Sequence, residues 1–418
     1  MKKNKFPDGF LWGASTSSHQ VEGGTKNNWS EWELKNAERL ANEAKKKWQP
    51  WQQEKFPEMF KKENYISGKA CDHYNRFEQD FDIAKNLGHN AHRFSIEWSR
   101  IEPEEGKFDE KEIEHYRKVL IALRERGMEP FVTLWHWTHP IWVEEFGGPT
   151  NPKFADCFAR YAKVVAKNFG DLVKFWVTIN EPMSVIPNCY LMGIWPPQIK
   201  NPLVALRVYH NLASAHNKAY DVLHETNQDA QVGFANIVAY FEPHNKKSLL
   251  DVLVVKIAEY FSNKKFLNLT KRHNDFLALQ YYFHYKLSFF GGKKNKNDSV
   301  NDLGWEIYQE GLYHLLKWMD KYNMPIYITE NGLADARDEK RNKLIRDGLF
   351  WIHKSISEDV DVRGYFYWSL LDNFEWDKGY WPRFGLVEVD FETQERKMRP
   401  SALEYAKICK SNELEIGE

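Results

Sequence analysis

An alternation that runs the length of the chain narrows the fold more than any other feature. Short β-rich stretches are separated by amphipathic helical ones, with no Pro/Gly/Ser-rich linker between them. Alternation of this kind builds a parallel sheet covered by helices, because each strand must be re-entered in the same direction after a crossover. Eight candidate strands are read at residues 10–13, 91–95, 129–136, 174–180, 231–237, 276–281, 325–330 and 362–369. The helical stretches carry their own punctuation. Asp109 is placed to N-cap a segment whose apolar residues Ile113, Tyr116, Val119, Leu120 and Leu123 share one face, and Gly127 ends it. Residues 154–169, closed by Gly170, repeat the design. Eight such units in one run predict an α/β chain folded as a single closed (β/α)8 barrel, a TIM barrel, over residues 1–418.

In a barrel of this type chemistry sits where strands end and βα loops begin. Two of the eight ends carry a carboxylate: Thr178-Ile179-Asn180-Glu181-Pro182 after the fourth strand and Ile328-Thr329-Glu330-Asn331-Gly332 after the seventh. The two glutamates are 149 positions apart in sequence yet leave the same end of the barrel. Acetal hydrolysis requires such a pair, one carboxylic acid to protonate the leaving oxygen and one carboxylate to meet the oxocarbenium-like carbon. Their separation sets the stereochemistry, about 5–5.5 Å for retention and more for inversion. Spacing along the chain leaves that choice open.

Composition bears on the partner. Seventeen Trp residues and an aromatic content of 15% suit either flat sugar faces or an aromatic core. With 58 basic and 59 acidic residues, the net charge of −1 offers no footprint for nucleic acid or an anionic membrane, so a neutral small molecule is expected. The four cysteines, Cys71, Cys157, Cys189 and Cys409, form no CxxC pattern, and His136 and His139 come without an HExxH motif or a carboxylate partner. No metal and no cofactor are therefore expected. The first residues contain no apolar signal segment and no run is long enough to span a membrane, which points to the cytoplasm. Between the first two strands, residues 45–62 with Trp48, Trp51, Phe56 and Phe60 are either an aromatic rim to the cleft or a solvated helical insertion.

Taken together, the motifs resemble glycoside hydrolase family 1, the β-glucosidase family. Around Glu181 and Glu330 the sequence is similar to the family's TFNEP and ITENG signatures, with Ile179 in place of Phe. Family-like stretches also include Phe10-Leu11-Trp12-Gly13-Ala14 with Gln20, Glu22 and Gly23; residues 93–100, Arg-Phe-Ser-Ile-Glu-Trp-Ser-Arg; and residues 133–137, Thr-Leu-Trp-His-Trp. The longest, within residues 364–390, holds Tyr367-Trp368-Ser369-Leu370-Leu371-Asp372-Asn373-Phe374-Glu375-Trp376 and Arg383-Phe384-Gly385-Leu386. The resemblance covers roughly residues 6–406.

What the resemblance implies is a retaining β-glycosidase, foremost a β-glucosidase, acting on small β-glycosides or oligosaccharides. Glu330 would be the nucleophile and Glu181 the acid and then the base, its proton held by the negative charge of Glu330 and released once that charge is esterified. Arg93 would sit beside the nucleophile and keep it ionised, Asn180 would bind the sugar 2-OH, and Tyr282 would hydrogen-bond the nucleophile. The glycone would be held by Gln20, His136, Trp137, Asn180, Glu375 and Trp376, over Trp368 as an apolar floor. Intact Glu375 and Trp376, without a phosphate-binding Ser-Lys-Tyr set, imply unphosphorylated substrates. The same residues would also serve a transglycosylase or a sugar-binding protein without turnover. Gluco, galacto, fuco and manno sugars and the oligomeric state stay open.

Two departures from the family pattern stand out. Gln280-Tyr281-Tyr282 replaces Asn-Tyr-Tyr, which is expected to shift a contact near the acid/base. The connection from strand five to six and the Lys/Asn-rich loop at residues 291–301 are short, which predicts a more open and mobile side to the mouth.

Overall fold

The computed structural model describes residues 2–296 and 299–416. Asn297 and Asp298, within the lean loop noted above, lie outside the described residues. Eight parallel strands close on themselves: β1 (Leu11–Ser15), β2 (Ala91–Ser95), β3 (Glu129–Trp135), β4 (Phe175–Asn180), β5 (Gln231–Pro243), β6 (Leu277–Ser288), β7 (Ile326–Gly332) and β8 (Val362–Trp368). Each pairs with the next in chain order, and β8 pairs back with β1. The expected (β/α)8 barrel is the fold. The helix Glu110–Glu125 starts where the sequence places it, with Asp109 accepting from the Lys111 amide at 2.9 Å.

Six of the strands match their expected positions within two residues, but β5 and β6 run on to Pro243 and Ser288. Beyond a register shift between Val238 and Ala239 they continue as a parallel ribbon, Ala239–Pro243 beside Phe283–Leu287. One side of the ribbon buries Ala239 and Phe241 with Phe283, Tyr285 and Leu287. Its other side holds His284 between Glu306 (2.6 Å) and Glu242 (3.1 Å). A satisfied polar face and an apolar face let the pair persist after it leaves the barrel.

The barrel floor is aromatic. Phe131, Phe175, Phe276, Tyr327 and Phe366 converge there, and the Phe131 and Phe175 rings stack at 4.3 Å with 5° between their planes. At Gly13 the neighbouring strand leaves no room, since a Cβ would lie 2.3 Å from the Ala91 carbonyl oxygen and 3.0 Å from the Phe366 ring. Phe131→Ala is expected to cost about 3–5 kcal/mol, since the neighbouring strands are hydrogen-bonded on both sides and refill little of the void. Chemical denaturation of the variant, followed by tryptophan fluorescence, measures the loss.

The insertion after β1 is the helical one of the two readings offered for it, since none of Trp48, Trp51, Phe56 and Phe60 lines the cleft. Its helix Asn28–Lys47 brings Arg39, Leu40, Glu43, Lys46 and Lys47 to the cleft. Trp48 and Phe56 pack their rings on Trp381, each at 4.9 Å, whereas Trp51 and Phe60 are exposed.

Candidate active site

A cavity of about 890 Å³ opens at the C-terminal end of the barrel. Ten of the eleven residues singled out from sequence line it: Gln20, His136, Trp137, Asn180, Glu181, Tyr282, Glu330, Trp368, Glu375 and Trp376. Arg93 is wholly buried behind them.

Glu330, near the end of β7, is ringed by donors. The Arg93 guanidinium from β2 donates to Oε1, as does Gln280 Nε2 from β6 at 2.6 Å, and the Tyr282 hydroxyl donates to Oε2 at 2.9 Å. Glu181, one residue past β4, has a poorer set: the Ser184 hydroxyl donates to Oε2 at 2.8 Å. Ser184 follows at helical spacing, a neighbour that the i, i+3 rule could have named.

These surroundings separate the two carboxyls electrostatically. Burial, followed by the charge of Glu330, pushes Glu181 well above the ordinary carboxylate range, against weaker opposition from Ser184 and Arg93. Glu330 is also raised by burial, but less, because Arg93 and Tyr282 favour its charged form. Arg93 acts on Glu330 in the expected direction, favouring its charged form, and does so against burial, which is the largest influence.

Asn180 is the hub of the site. Its Oδ1 accepts from Arg93 at 2.6 Å and from Gln280 at 2.9 Å, so its Nδ2 must donate to His136 Nε2, 3.1 Å away. His136 Nδ1 therefore carries the ring proton, is buried and has no protein partner. Burial, then Arg93, holds this histidine well below its ordinary pKa, hence neutral. The Asn180 carbonyl also accepts from Trp137 Nε1 at 3.0 Å.

Glu375 is pushed up to about 7, first by burial, with Lys378 opposing, and its Oε2 is buried without a partner. The indoles of Trp376 and Trp137 lie 4.6 Å apart, and Trp368 stacks on His136 at 6.0 Å. Glu181 (φ +43°), Trp137 (+74°) and Trp376 (+49°) all hold left-handed backbone. Such conformations cost about 1–3 kcal/mol each and persist where the surroundings over-determine them.

Three readings from sequence change here. Gln280 contacts Glu330 and Asn180 rather than the Glu181 side, because β6 and β7 pair so that Gln280 stands opposite Glu330. Gln20 spends both amide hydrogens on Asn373 Oδ1 (3.0 Å) and the Phe374 carbonyl (2.8 Å), and its Oε1 already accepts from the Ser17 hydroxyl at 2.7 Å, so the side chain expected to bind the glycone is engaged by the protein itself. His139 does have a carboxylate partner, Glu144 at 2.8 Å, but no group of three metal-binding side chains occurs among the described residues. Further lining residues were unread: Trp195, Met192 and Ile194 on one wall, Ile237, Phe283 and Trp305 on another. They come from loops and from the β5–β6 ribbon, where no motif marks them.

Comparison with known proteins agrees with this geometry. The model of glycosyl hydrolase family 1 matches residues 2–276 and 271–414. β-Glucosidase A of Thermotoga maritima is 36% identical over 462 aligned positions, covering 99% of this chain and 100% of that protein. The cytosolic β-glucosidase of Homo sapiens is 31% identical, covering 98% and 99%. Among solved structures, a β-glycosidase from Pyrococcus horikoshii superposes with a TM-score of 0.87 at 35% identity, covering 99% of this chain and 97% of that one. The Thermotoga maritima β-glucosidase in complex with glucoimidazole gives 0.86 at 33%, covering 98% and 99%. Matched along nearly its whole length, with paired glutamates at the ends of β4 and β7, the chain belongs to glycosyl hydrolase family 1 and is a retaining glycoside hydrolase.

Proposed function

We propose that the chain, as one catalytic barrel over residues 1–418, removes non-reducing terminal β-D-glucosyl residues from unphosphorylated glycosides by double displacement. The observation that carries the assignment of roles is the unequal solvation of the two carboxyls. Glu330 meets three donors from Arg93, Gln280 and Tyr282, whereas Glu181 meets one, the Ser184 hydroxyl, among the described residues, and feels the field of Glu330 more than that of Arg93. The first arrangement favours a carboxylate and the second a carboxylic acid.

In the first step Glu330 attacks the anomeric carbon while the Glu181 proton passes to the leaving oxygen. With Glu330 esterified its charge is gone, Glu181 becomes acidic enough to stay ionised, and it takes a proton from the attacking water. Asn180, fixed by Arg93, Gln280 and His136, meets the 2-OH. His136 Nδ1 and Glu375 Oε2, both buried without protein partners, are left for other hydroxyls. The reading of an unphosphorylated glycone rests on the intact Glu375 and Trp376, both of which line the cavity. The β-glucosidases among its relatives support glucose as the preferred sugar. A cytoplasmic location is supported by four unpaired, buried cysteines and by a relative named cytosolic.

Proton NMR of the first-formed sugar tests the pathway: β-glucose is expected before mutarotation, and initial α-glucose would overturn it. A panel of aryl glycosides, ranked by kcat/KM, is expected to place the β-glucoside first.

Gln280→Leu is expected to lower kcat about 10–100-fold, the worth of a hydrogen bond to a buried charge. Losing that donor disfavours the ionised form of Glu330, so the acidic limb of the pH–rate profile should move to higher pH. An unmoved acidic limb would remove Gln280 from the mechanism.

A further inference from the structure

The β5–β6 ribbon and the helix Leu249–Glu259 form a protrusion beside the cavity mouth. The helix packs Val255 and Ala258 on Ala239 and Phe241, and Asp251 ties it to the ribbon tip by accepting from the Phe289 amide at 3.0 Å. Its outer side is apolar as well. Leu249 and Phe290 are 86% and 85% exposed, and Leu253, Ile257 and Phe289 are about half exposed. Leu249, Leu253 and Ile257 recur every four residues, so they form one stripe. A surface helix ordinarily turns charged residues outward, and contiguous exposed apolar groups mark a surface that meets something.

Charge says what it meets. Residues 239–265 and 282–296 hold nine lysines and three acids. All three acids are already engaged: Glu242 with His284, Glu259 with Lys264 at 2.7 Å, and Asp251 with backbone amides. Lys247, Lys256, Lys293, Lys294 and Lys296 have no ion-pair partner among the described residues. The net charge of −1 conceals this segregation, because the rest of the chain is acidic by compensation.

We propose that this face docks the protein on an anionic lipid bilayer. Leu249, Leu253, Ile257, Phe289 and Phe290 enter the headgroup boundary, and the unpaired lysines meet lipid charge. The association is peripheral, since no helix among the described residues is long and apolar enough to cross a membrane. A second copy of the chain is a poorer occupant: a two-fold contact would set one lysine rim against the other. Because β5 and β6 leave the barrel at the end that carries the site, docking places the cavity mouth beside the bilayer. Phe283, which lines the cavity, belongs to the same apolar cluster that supports the protrusion. This inference is independent of the assignment of Glu181 and Glu330.

Co-sedimentation of the full-length protein with vesicles tests it, comparing phosphatidylcholine alone with phosphatidylcholine containing phosphatidylserine. Partitioning is expected to be at least about tenfold greater on the anionic vesicles and to fall at high salt. Two double variants, Leu249→Ser with Phe290→Ser and Lys293→Glu with Lys294→Glu, should each lower it by about tenfold or more. Turnover of a soluble aryl glucoside by both variants should stay at the wild-type rate, which shows the fold intact. Equal partitioning on the two vesicle types, or variants that bind as the parent does, would overturn the proposal. So would a dimer in sedimentation equilibrium that the Leu249/Phe290 variant dissolves, with no vesicle binding by the parent.

Discussion

Glu330→Gln is expected to lower kcat on an aryl β-glucoside by about 10⁴-fold or more, while leaving substrate binding close to that of the parent. The amide keeps the shape of the side chain but has no charge with which to attack the anomeric carbon. No second carboxyl can take over. In the proposed mechanism Glu181 serves the leaving oxygen and Glu375 the glycone, and burial pushes Glu375 up to about 7. A second consequence follows at Glu181. The negative charge of Glu330 is, after burial, the largest influence holding its proton, so in the variant the Glu181 pKa should fall. A carboxyl-stretch infrared titration should see that fall directly. Arg93 keeps Asn180 and Thr133 (3.1 Å) as partners, so the variant is expected to fold, and its melting temperature checks this. Residual turnover within about tenfold of the parent would move the nucleophile elsewhere.

For Glu181→Gln the expected loss depends on the leaving group. With a basic aglycone, which needs a proton as it departs, kcat/KM should fall by about 10²–10⁴-fold. With an acidic phenol as leaving group, formation of the glycosyl-enzyme should be nearly unaffected. Its breakdown then becomes limiting, so a burst of phenol precedes slow turnover and KM drops. Azide, which attacks without a general base, should restore turnover and yield the β-glucosyl azide. The alkaline limb of the parent pH–rate profile, set by loss of the Glu181 proton above the ordinary carboxylate range, should disappear with the side chain. Equal losses for all leaving groups, or no response to azide, would show that Glu181 has another role.

Much of the scaffold was legible because its signals are local. Strands buried on both faces read as apolar runs, and the helix after Asp109 declares its cap and its buried stripe within twenty residues. The positions of Glu181 and Glu330 at strand ends were legible for the same reason. The extension of β5 and β6 was not, since residues 238–243 and 282–288 become a ribbon only by pairing with each other and by enclosing His284 between two glutamates. Neither segment is predictable without its partner. The apolar stripe on Leu249–Glu259 likewise reads as a buried helix until its exposure is seen.

Sequence alone determined the eight-fold alternation, the two strand ends that carry carboxylates, and the polar residues that accompany them. Tertiary structure decided which of those side chains touch. Gln280 is the plainest case. Along the β6–β7 ladder Leu279 stands opposite Ile328, but a register shift then sets Gln280 opposite Glu330. With an unbroken ladder Gln280 would face Thr329, and its amide would have been one residue away from the carboxylate it now holds. A similar shift lies between Val177 and Asn180, where β4 meets β5. Irregularities of this kind re-aim side chains at the rim of a barrel. They arise from closing eight twisted strands around one packed aromatic floor, a constraint shared by the whole chain and carried by no short stretch of it.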